Sequence, residues 1–231
     1  MLVSVIIPTL NEEDNVQEAI AAARRSYDQE QVEIIVADGD STDATRECVG
    51  SLARLVSAPR GRARQMNAGA VMSQGEILLF CHADSRLPNG WHEAVVTALS
   101  APAVSGGTFQ TLILPEESWL LWLRNRMRMP TRWFWMFGDQ CQFLRRETFE
   151  KLGGFPEIVL MEDIELSRAL HQCGQLVRIP LRVTTSSRRF LEMGALRQTL
   201  LNTWCQIRYL LFGVSPKEIA RIYRSSRERH I

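Results

Sequence analysis

The 231-residue chain carries almost no net charge, no paired-cysteine motif, no glycine-rich phosphate loop and no apolar run of membrane-spanning length. Each absence removes a class of function. Lysine and arginine number 27 against 26 aspartates and glutamates, so no global field attracts nucleic acid, and function must reside in local sites. The five cysteines (Cys48, Cys81, Cys141, Cys173, Cys205) stand more than thirty residues apart. That spacing argues against a zinc site or a disulfide framework and for free thiols in a reducing compartment. The opening Met1-Leu2-Val3-Ser4-Val5-Ile6-Ile7-Pro8 has no basic leader, and its apolar stretch is too short for a signal peptide, so the expected location is cytoplasmic. Arg124, Arg126 and Arg128 break the richest apolar segment well short of the roughly 20 residues a membrane span requires. Any meeting with a membrane is therefore expected to be peripheral. Neither G-x-x-x-x-G-K-[ST] nor G-x-G-x-x-G occurs, which takes support from ATPase and dinucleotide readings.

What is present reads as an α/β enzyme. Hydrophobic residues make up 45% of the chain and charged residues 23%, enough to bury one sizeable core. Apolar runs at Val3 to Ile7, Glu33 to Ala37, Ala53 to Ser57 and Ile77 to Cys81 predict buried strands. Helix-period segments at Asn15 to Ser26, Asp43 to Ser51 and Arg62 to Ser73 lie between them. This alternation predicts a mostly parallel central sheet with helices on both faces, and in such sheets ligands bind beyond the carboxyl ends of the strands. Further on, strands are expected at Thr108 to Leu114 and Gln140 to Leu144, and helices at Glu162 to Gln172, Ala195 to Phe212 and after Pro216. The expected organisation is a catalytic domain over 1–190 and a helical appendage over 191–231.

Polar clusters follow three strands. Thr9-Leu10-Asn11-Glu12 follows the first, Asp38-Gly39-Asp40-Ser41-Thr42-Asp43 the second and His82-Ala83-Asp84 the fourth. The second cluster suits a tight turn, with Gly39 permitting the bend and Ser41 or Thr42 capping a helix. Carboxylates at the end of a buried strand are costly unless something binds them, so a ligand role stands beside the turn role. Asp84 is expected at the sheet edge with His82 one pleat away on the same face. A hard carboxylate there suits magnesium or manganese, and the imidazole shifts preference toward manganese. Arg60, Arg62 and Arg64 open a helix whose N-terminal amides and guanidinium groups suit phosphate, although a solvated basic turn fits equally. Glu162 and Asp163 begin another helix. Asp163 shares a face with Leu166 and Leu170, a position at the rim of buried surface suited to a general base.

Six stretches in this order together resemble the family 2 glycosyltransferases over about residues 3–190. They are Ser4 to Glu12, Asp38 to Asp43, Arg64-Gln65-Met66-Asn67-Ala68-Gly69, His82-Ala83-Asp84, Gly153-Gly154-Phe155 and Glu162-Asp163-Ile164-Glu165-Leu166. The resemblance implies an A-type glycosyltransferase fold and a nucleoside diphosphate sugar donor. It also implies a divalent metal, Mn2+ or Mg2+. Nucleoside contacts then fall on Pro8, Thr9, Asn11, Glu12, Asp38 and Asp40, with Arg64 and Asn67 in the donor-binding set. Asp84 would hold metal and diphosphate with His82 beside it, and Asp163 would be the catalytic base of a single, inverting displacement. Two positions depart from the family pattern. His82 stands first in the usual D-x-D triplet, and Asp40 replaces the second glycine of D-G-G-S. With Thr185 to Phe190, the altered triplet is similar to a small bacterial subgroup of the family.

Two other functions compete. A nucleotidyltransferase of the same fold would need a lysine-bearing glycine-rich loop after the first strand, which is missing. A non-catalytic nucleotide-sugar binding protein would have no use for the Glu162-Asp163 pair. Trp119, Trp122, Trp133 and Trp135 interleave with Arg124, Arg126, Arg128 and Arg132, and Leu196, Leu200, Trp204, Ile207 and Leu211 repeat at helical spacing near Arg197 and Arg208. These segments read either as a peripheral membrane contact serving a lipid-linked acceptor, or as an acceptor pocket, a homodimer contact or ordinary core.

Overall fold

The computed structural model describes residues 1–25, 31–126 and 136–228. The first half runs β1 (Val3–Thr9), α1 (Val16–Arg24), β2 (Val32–Asp38), α2 (Thr45–Val49), β3 (Arg54–Ser57), α3 (Arg62–Met72) and β4 (Ile77–Phe80). Every second residue of a strand faces the same side, and β1 uses both sides. Val3, Val5 and Ile7 join one core with Val16, Ile20 and Trp91, while Ile6 joins a second core with Ala63, Met66 and Ala70. The expected two-sided sheet is what forms. Helix α3 lies so close to β1 that a Cβ on Gly69 would come within 2.5 Å of Ile6 Cγ2.

The remaining elements are β5 (Ser85–Arg86), α4 (Trp91–Ser100), β6 (Val104–Leu114), α5 (Trp119–Arg126), a 3-10 turn (Gly138–Gln140) and β7 (Gln142–Arg145). They are followed by α6 (Arg146–Lys151), α7 (Glu162–Cys173), β8 (Gln175–Ser186), α8 (Arg188–Met193), α9 (Ala195–Phe212) and α10 (Pro216–Glu228). The sheet order is β3-β2-β1-β4-β7-β6-β8-β5. Strands β1 to β4 are mutually parallel, β7 runs against β4 and β6, β8 runs with β6, and β5 runs against β8. Six of the eight described strands therefore point one way, with β7 and β5 reversed.

Sequence patterning missed α4 and β8. Strand β8 carries Arg178, Pro180 and Arg182, which hide its period. Its register against β6 slips where Phe109 faces Ile179 but Gln110 faces Arg182, and the slip takes up Pro180, which has no N–H to give. Because β2 and β3 lie on one side of β1 and β4 on the other, the chain reverses its winding between β1 and β4. That reversal opens a crevice at their carboxyl ends. Pairing of β4 with β1 ends at Ile6 and Phe80, so Pro8 sits where β1 keeps only its β2 neighbour.

Because the Gly69 contact is with a buried strand side chain, Gly69→Ala should force α3 off the sheet and cost about 1–3 kcal/mol, the usual penalty for overpacking. Urea unfolding should show this as a lower midpoint with an unchanged slope. An unaltered midpoint would mean the helix yields freely.

Candidate active site

The turn after β2 is built around one buried carboxylate. Asp38 is fully buried, and its Oδ1 accepts from Thr9 Oγ1 at 3.2 Å and Ser41 Oγ at 2.5 Å. Its Oδ2 accepts from the Ser41 N–H at 3.1 Å and from Arg46 Nη1 at 3.4 Å. The charge is thus compensated within the protein. Asp40 adopts φ +68°, the left-handed conformation a glycine would supply, and its exposed side chain lies 3.8 Å from Arg60. Neither Ser41 nor Thr42 caps α2, whose N-cap is Ala44; Asp43, just before it, accepts from the Thr45 N–H at 3.0 Å.

The turn after β1 locks onto this one. Asn11, at φ +55°, donates its N–H to Ser41 Oγ at 2.9 Å and accepts from the Thr42 N–H at 2.9 Å. The Glu12 N–H donates to Thr45 Oγ1 at 2.8 Å. Between the strand ends lies Gln65 of α3, whose Nε2 donates to the carbonyls of Thr9 and Ala37 at 2.5 and 3.0 Å. Gln65 packs where a side chain at Gly39 would otherwise go, since a Cβ there would stand 2.9 Å from Gln65 Cδ. The only sequence signal for Gln65 was its place in the Arg64 to Gly69 stretch.

Beyond β4, the chain turns immediately. The Ser85 N–H donates to the His82 carbonyl at 3.0 Å, so His82 and Asp84 share a side through a turn and not through the strand pleat expected. Both line a cavity of about 510 Å3, together with Arg62, Gly138, Asp139, Asp163 and Arg178. The segment at the end of β8 fixes this turn from above. The Ser186 N–H donates to the Asp84 carbonyl at 3.2 Å, and Arg188 Nη2 reaches Glu12 Oε1 at 3.5 Å, linking the β1 turn to the β4 turn.

Asp163 enters from the first turn of α7. Its Oδ2 accepts from the Gly138 N–H at 2.7 Å and its Oδ1 from the Ile164 N–H at 2.9 Å, while Gln142 Nε2 holds its carbonyl at 3.0 Å. A Cβ on Gly138 would lie 2.8 Å from His82 Nε2 and 3.5 Å from Asp163 Oδ2, so the missing side chain lets both groups approach one backbone segment. Glu162 is fully buried and pairs with Arg62 from α3. Burial pushes the Glu162 carboxyl above the ordinary carboxylate range, with Asp163 adding to the rise and Arg62 opposing it. Desolvation works against the Arg62 charge too, but Glu162, Asp163 and Asp139 outweigh it and hold the guanidinium protonated. This pair spans 100 residues of sequence and has no local signature.

The three arginines read as phosphate ligands are all matched with carboxylates. Arg60 lies near Asp40, Arg62 pairs with Glu162, and Arg64 donates to Glu157 at 3.0 Å. Asn67 donates to the Phe155 carbonyl at 2.8 Å and accepts from its N–H at 2.9 Å, clamping the Gly153-Gly154 turn in which both glycines have positive φ. Arg64 and Asn67 are thus turned to the loop before α7 and not to the cavity. Pro8, Thr9, Asn11, Glu12, Asp38 and Asp40 lie together at the ends of β1 and β2.

The far wall of the cavity was not anticipated. Helices α9 and α10 contribute Gln198, Thr199, Asn202, Gln206 and Tyr223. Gln198 Nε2 donates to Asn202 Oδ1 at 2.7 Å and Tyr223 OH at 3.1 Å, and the Tyr209 hydroxyl donates to Glu165 at 2.7 Å, tying α9 to α7. As for a metal, no group of three or more His, Cys, Asp or Glu among the described residues could hold an ion. The turn after β4 offers one hard carboxylate and one imidazole, Asp84 and His82. Such a pair fits a divalent cation that takes its other ligands from a diphosphate and water.

Residues 4–153 match the sequence profile of the family described as Glycosyl transferase family 2. The validoxylamine A glucosyltransferase of Streptomyces hygroscopicus subsp. limoneus is 29% identical over an alignment covering 80% of this chain and 50% of that protein. The probable glycosyltransferase YdaM of Bacillus subtilis (strain 168) is 26% identical, with 79% and 50% covered. The chain spans about half the length of these curated relatives. Among solved structures, mannosyltransferase PcManGT from Pyrobaculum calidifontis, in complex with GDP-Man and Mn2+, superposes with a TM-score of 0.68 at 21% identity. That superposition covers 97% of this chain and 69% of that one.

The Arg62 and Glu162 pair makes a strong stability prediction. Arg62→Ala should destabilise by about 3–5 kcal/mol, since it strands a buried carboxylate, whereas Arg62→Met with Glu162→Met should recover most of the loss. In Arg62→Ala, burial raises the folded-state pKa of Glu162 above its unfolded value. The deficit of the variant relative to wild type should therefore be smallest below the ordinary carboxylate range and grow as pH rises through the raised value. Denaturant titrations at several pH values measure both effects.

Proposed function

The chain belongs to glycosyl transferase family 2, and on that premise we propose that it moves a sugar from a nucleoside diphosphate donor to an acceptor hydroxyl by a single, inverting displacement. The observation carrying this reading is that Asp84 and Asp163, contributed by segments about 80 residues apart, line one cavity at the reversal point of the sheet. In this proposal the donor nucleoside lies against the β1 and β2 turns, where Pro8, Thr9, Asn11, Glu12, Asp38 and Asp40 shape the floor. The diphosphate then extends over Asp84.

Asp84 and His82 would hold the divalent cation, Mn2+ or Mg2+. Bound there, it would offset negative charge developing on the leaving diphosphate. Asp163 accepts the proton of the acceptor hydroxyl as that oxygen bonds to the anomeric carbon. The bond from that carbon to the phosphate oxygen breaks, and its electron pair leaves with the nucleoside diphosphate. The Gly138 and Ile164 N–H groups fix the Asp163 carboxylate in place, one on each oxygen, so little reorientation is needed at the moment of transfer. Glu162 keeps Arg62 at the cavity edge and takes no proton from the acceptor. The division into a catalytic unit over 1–190 and an appendage over 191–231 belongs to the same proposal, with α9 and α10 forming the acceptor side.

Two substitutions test the assignment. Asp163→Asn preserves shape and removes basicity; kcat should fall by roughly 10² or more while donor affinity measured by calorimetry stays within about twofold. Asp84→Ala should abolish transfer and weaken the dependence of donor binding on added Mn2+. If Glu162→Gln were the crippled variant and Asp163→Asn transferred normally, the base would be misassigned.

A further inference from the structure

We infer that the outward faces of α9 and α10 form a docking surface for an anionic lipid bilayer. On a helix turning 100° per residue, Leu196, Leu200, Trp204, Ile207 and Leu211 fall within about 80° of one another, and Arg197 and Arg208 border that stripe on one edge. The opposite side holds Gln198, Asn202, Cys205 and Gln206, which line the cavity. All five apolar side chains are exposed, with Leu200 60%, Trp204 51% and Leu211 76% accessible. An amphipathic helix normally buries its apolar stripe; α9 buries its polar side and shows its apolar side to solvent.

Helix α10 has the ordinary polarity and contributes charge. Ile219 and Tyr223 face the cavity, and Lys217, Arg221 and Arg224 occupy the opposite side and are exposed. Lys217, Arg221 and Arg224 line a second groove, together with Val159 and Ala220. Arg208 stands 5.7 Å from the Trp204 ring and 3.8 Å from Glu218, so a cation lies between the stripe and α10. Trp119, Trp122 and Leu123 of α5, which packs against α9, add exposed apolar surface.

The charge of this region favours lipid over a second protein. Residues 195–231 contain seven of the 27 basic residues and two of the 26 acidic ones, a net charge of +5, while residues 1–194 carry −4. No acidic residue occurs in α9. An apolar stripe edged by cations, on a two-helix unit opposite in sign to the rest of the chain, matches anionic headgroups above acyl chains. A second copy would bring like charge against like charge. No helix among the described residues is long and apolar enough to cross a membrane, so the contact would lie in the interface. Of the aromatic and arginine-rich segment expected to make such a contact, Arg128, Arg132, Trp133 and Trp135 lie outside the described residues. The surface stands on the helices alone; only the further step, that it presents the cavity to a lipid-linked acceptor, rests on the glycosyl-transfer reading.

Sedimentation with vesicles tests it. Wild-type protein should pellet with phosphatidylcholine vesicles containing about 30% phosphatidylglycerol at low salt, release at high salt, and stay in solution with pure phosphatidylcholine. Leu200→Ser with Trp204→Ser and Leu211→Ser, and separately Lys217→Glu with Arg221→Glu and Arg224→Glu, should each lower the partition coefficient by at least about tenfold. Circular dichroism should confirm that both variants fold. Asp163→Asn should pellet like wild type even where it abolishes transfer, which separates failure of the surface from failure of the enzyme assignment. Wild type that stays in the supernatant with anionic vesicles overturns the inference, as does apolar-face substitution without effect. A wild-type dimer in solution that the Leu200, Trp204 and Leu211 changes dissociate, with no vesicle binding, would assign the face to self-association instead.

Discussion

Everything in the cavity is referred to the ion pair between Arg62 and Glu162. It joins the first residue of α3 to the first residue of α7, two helices that approach the carboxyl ends of the strands from separate parts of the chain. A fully buried carboxylate is tolerable only with its counter-charge in place, so the starts of the two helices cannot separate without a large electrostatic cost. One consequence is positional. Asp163 is the next residue after Glu162, and its orientation inherits the rigidity of the pair. The other is electrostatic: Glu162 takes up the Arg62 charge and Asp139 pairs with Arg124 at 3.5 Å, so two of the arginines of the cavity are matched with carboxylates.

The winding reversal of the sheet makes this economy possible. Parallel strands deliver all their carboxyl ends to one edge, and the change of direction between β1 and β4 leaves a gap there that no crossover fills. The reversed strand β7 brings a different kind of segment to the same edge, since the 3-10 turn that precedes it carries Gly138 and Asp139. A purely parallel sheet would have placed a strand end there. The Gly138 N–H that orients Asp163 is thus a product of one antiparallel insertion.

Sequence periodicity revealed the first half of the fold because its central strands β1 and β4 are buried on both faces and read as largely apolar runs such as Ile77 to Cys81. It failed at β8, where Arg178, Pro180 and Arg182 share a strand with Ile179 and Val183, and at α4, where no motif drew attention to Trp91 to Ser100. Within the site, residues placed by strand ends were legible: Asp38, Asp84 and the turn at Asn11 and Glu12 follow strands directly, and Asp163 follows the glycine pair. Residues placed by tertiary contact were not. Gln65, Gly138, Gln198 and Tyr223 acquire meaning only when distant elements meet, and the partners of Arg60, Arg62 and Arg64 could not be assigned from a local cluster of charge. The inverted polarity of α9 was visible as a stripe, but which side of the helix met solvent depended on the cavity it covers.

Gln65 and Gly39 occupy one volume between two strand ends, the side chain of the first standing where a side chain of the second would project. Neither position can be altered freely on its own. A larger residue at 39 needs a smaller one at 65, and a smaller one at 65 leaves the Thr9 and Ala37 carbonyls without their shared donor. The two sites should therefore change together or not at all along any lineage. A chimera that takes its β2 turn from one relative and its α3 from another will inherit a mismatch between the ends of β1 and β2 unless both pieces are exchanged as one unit.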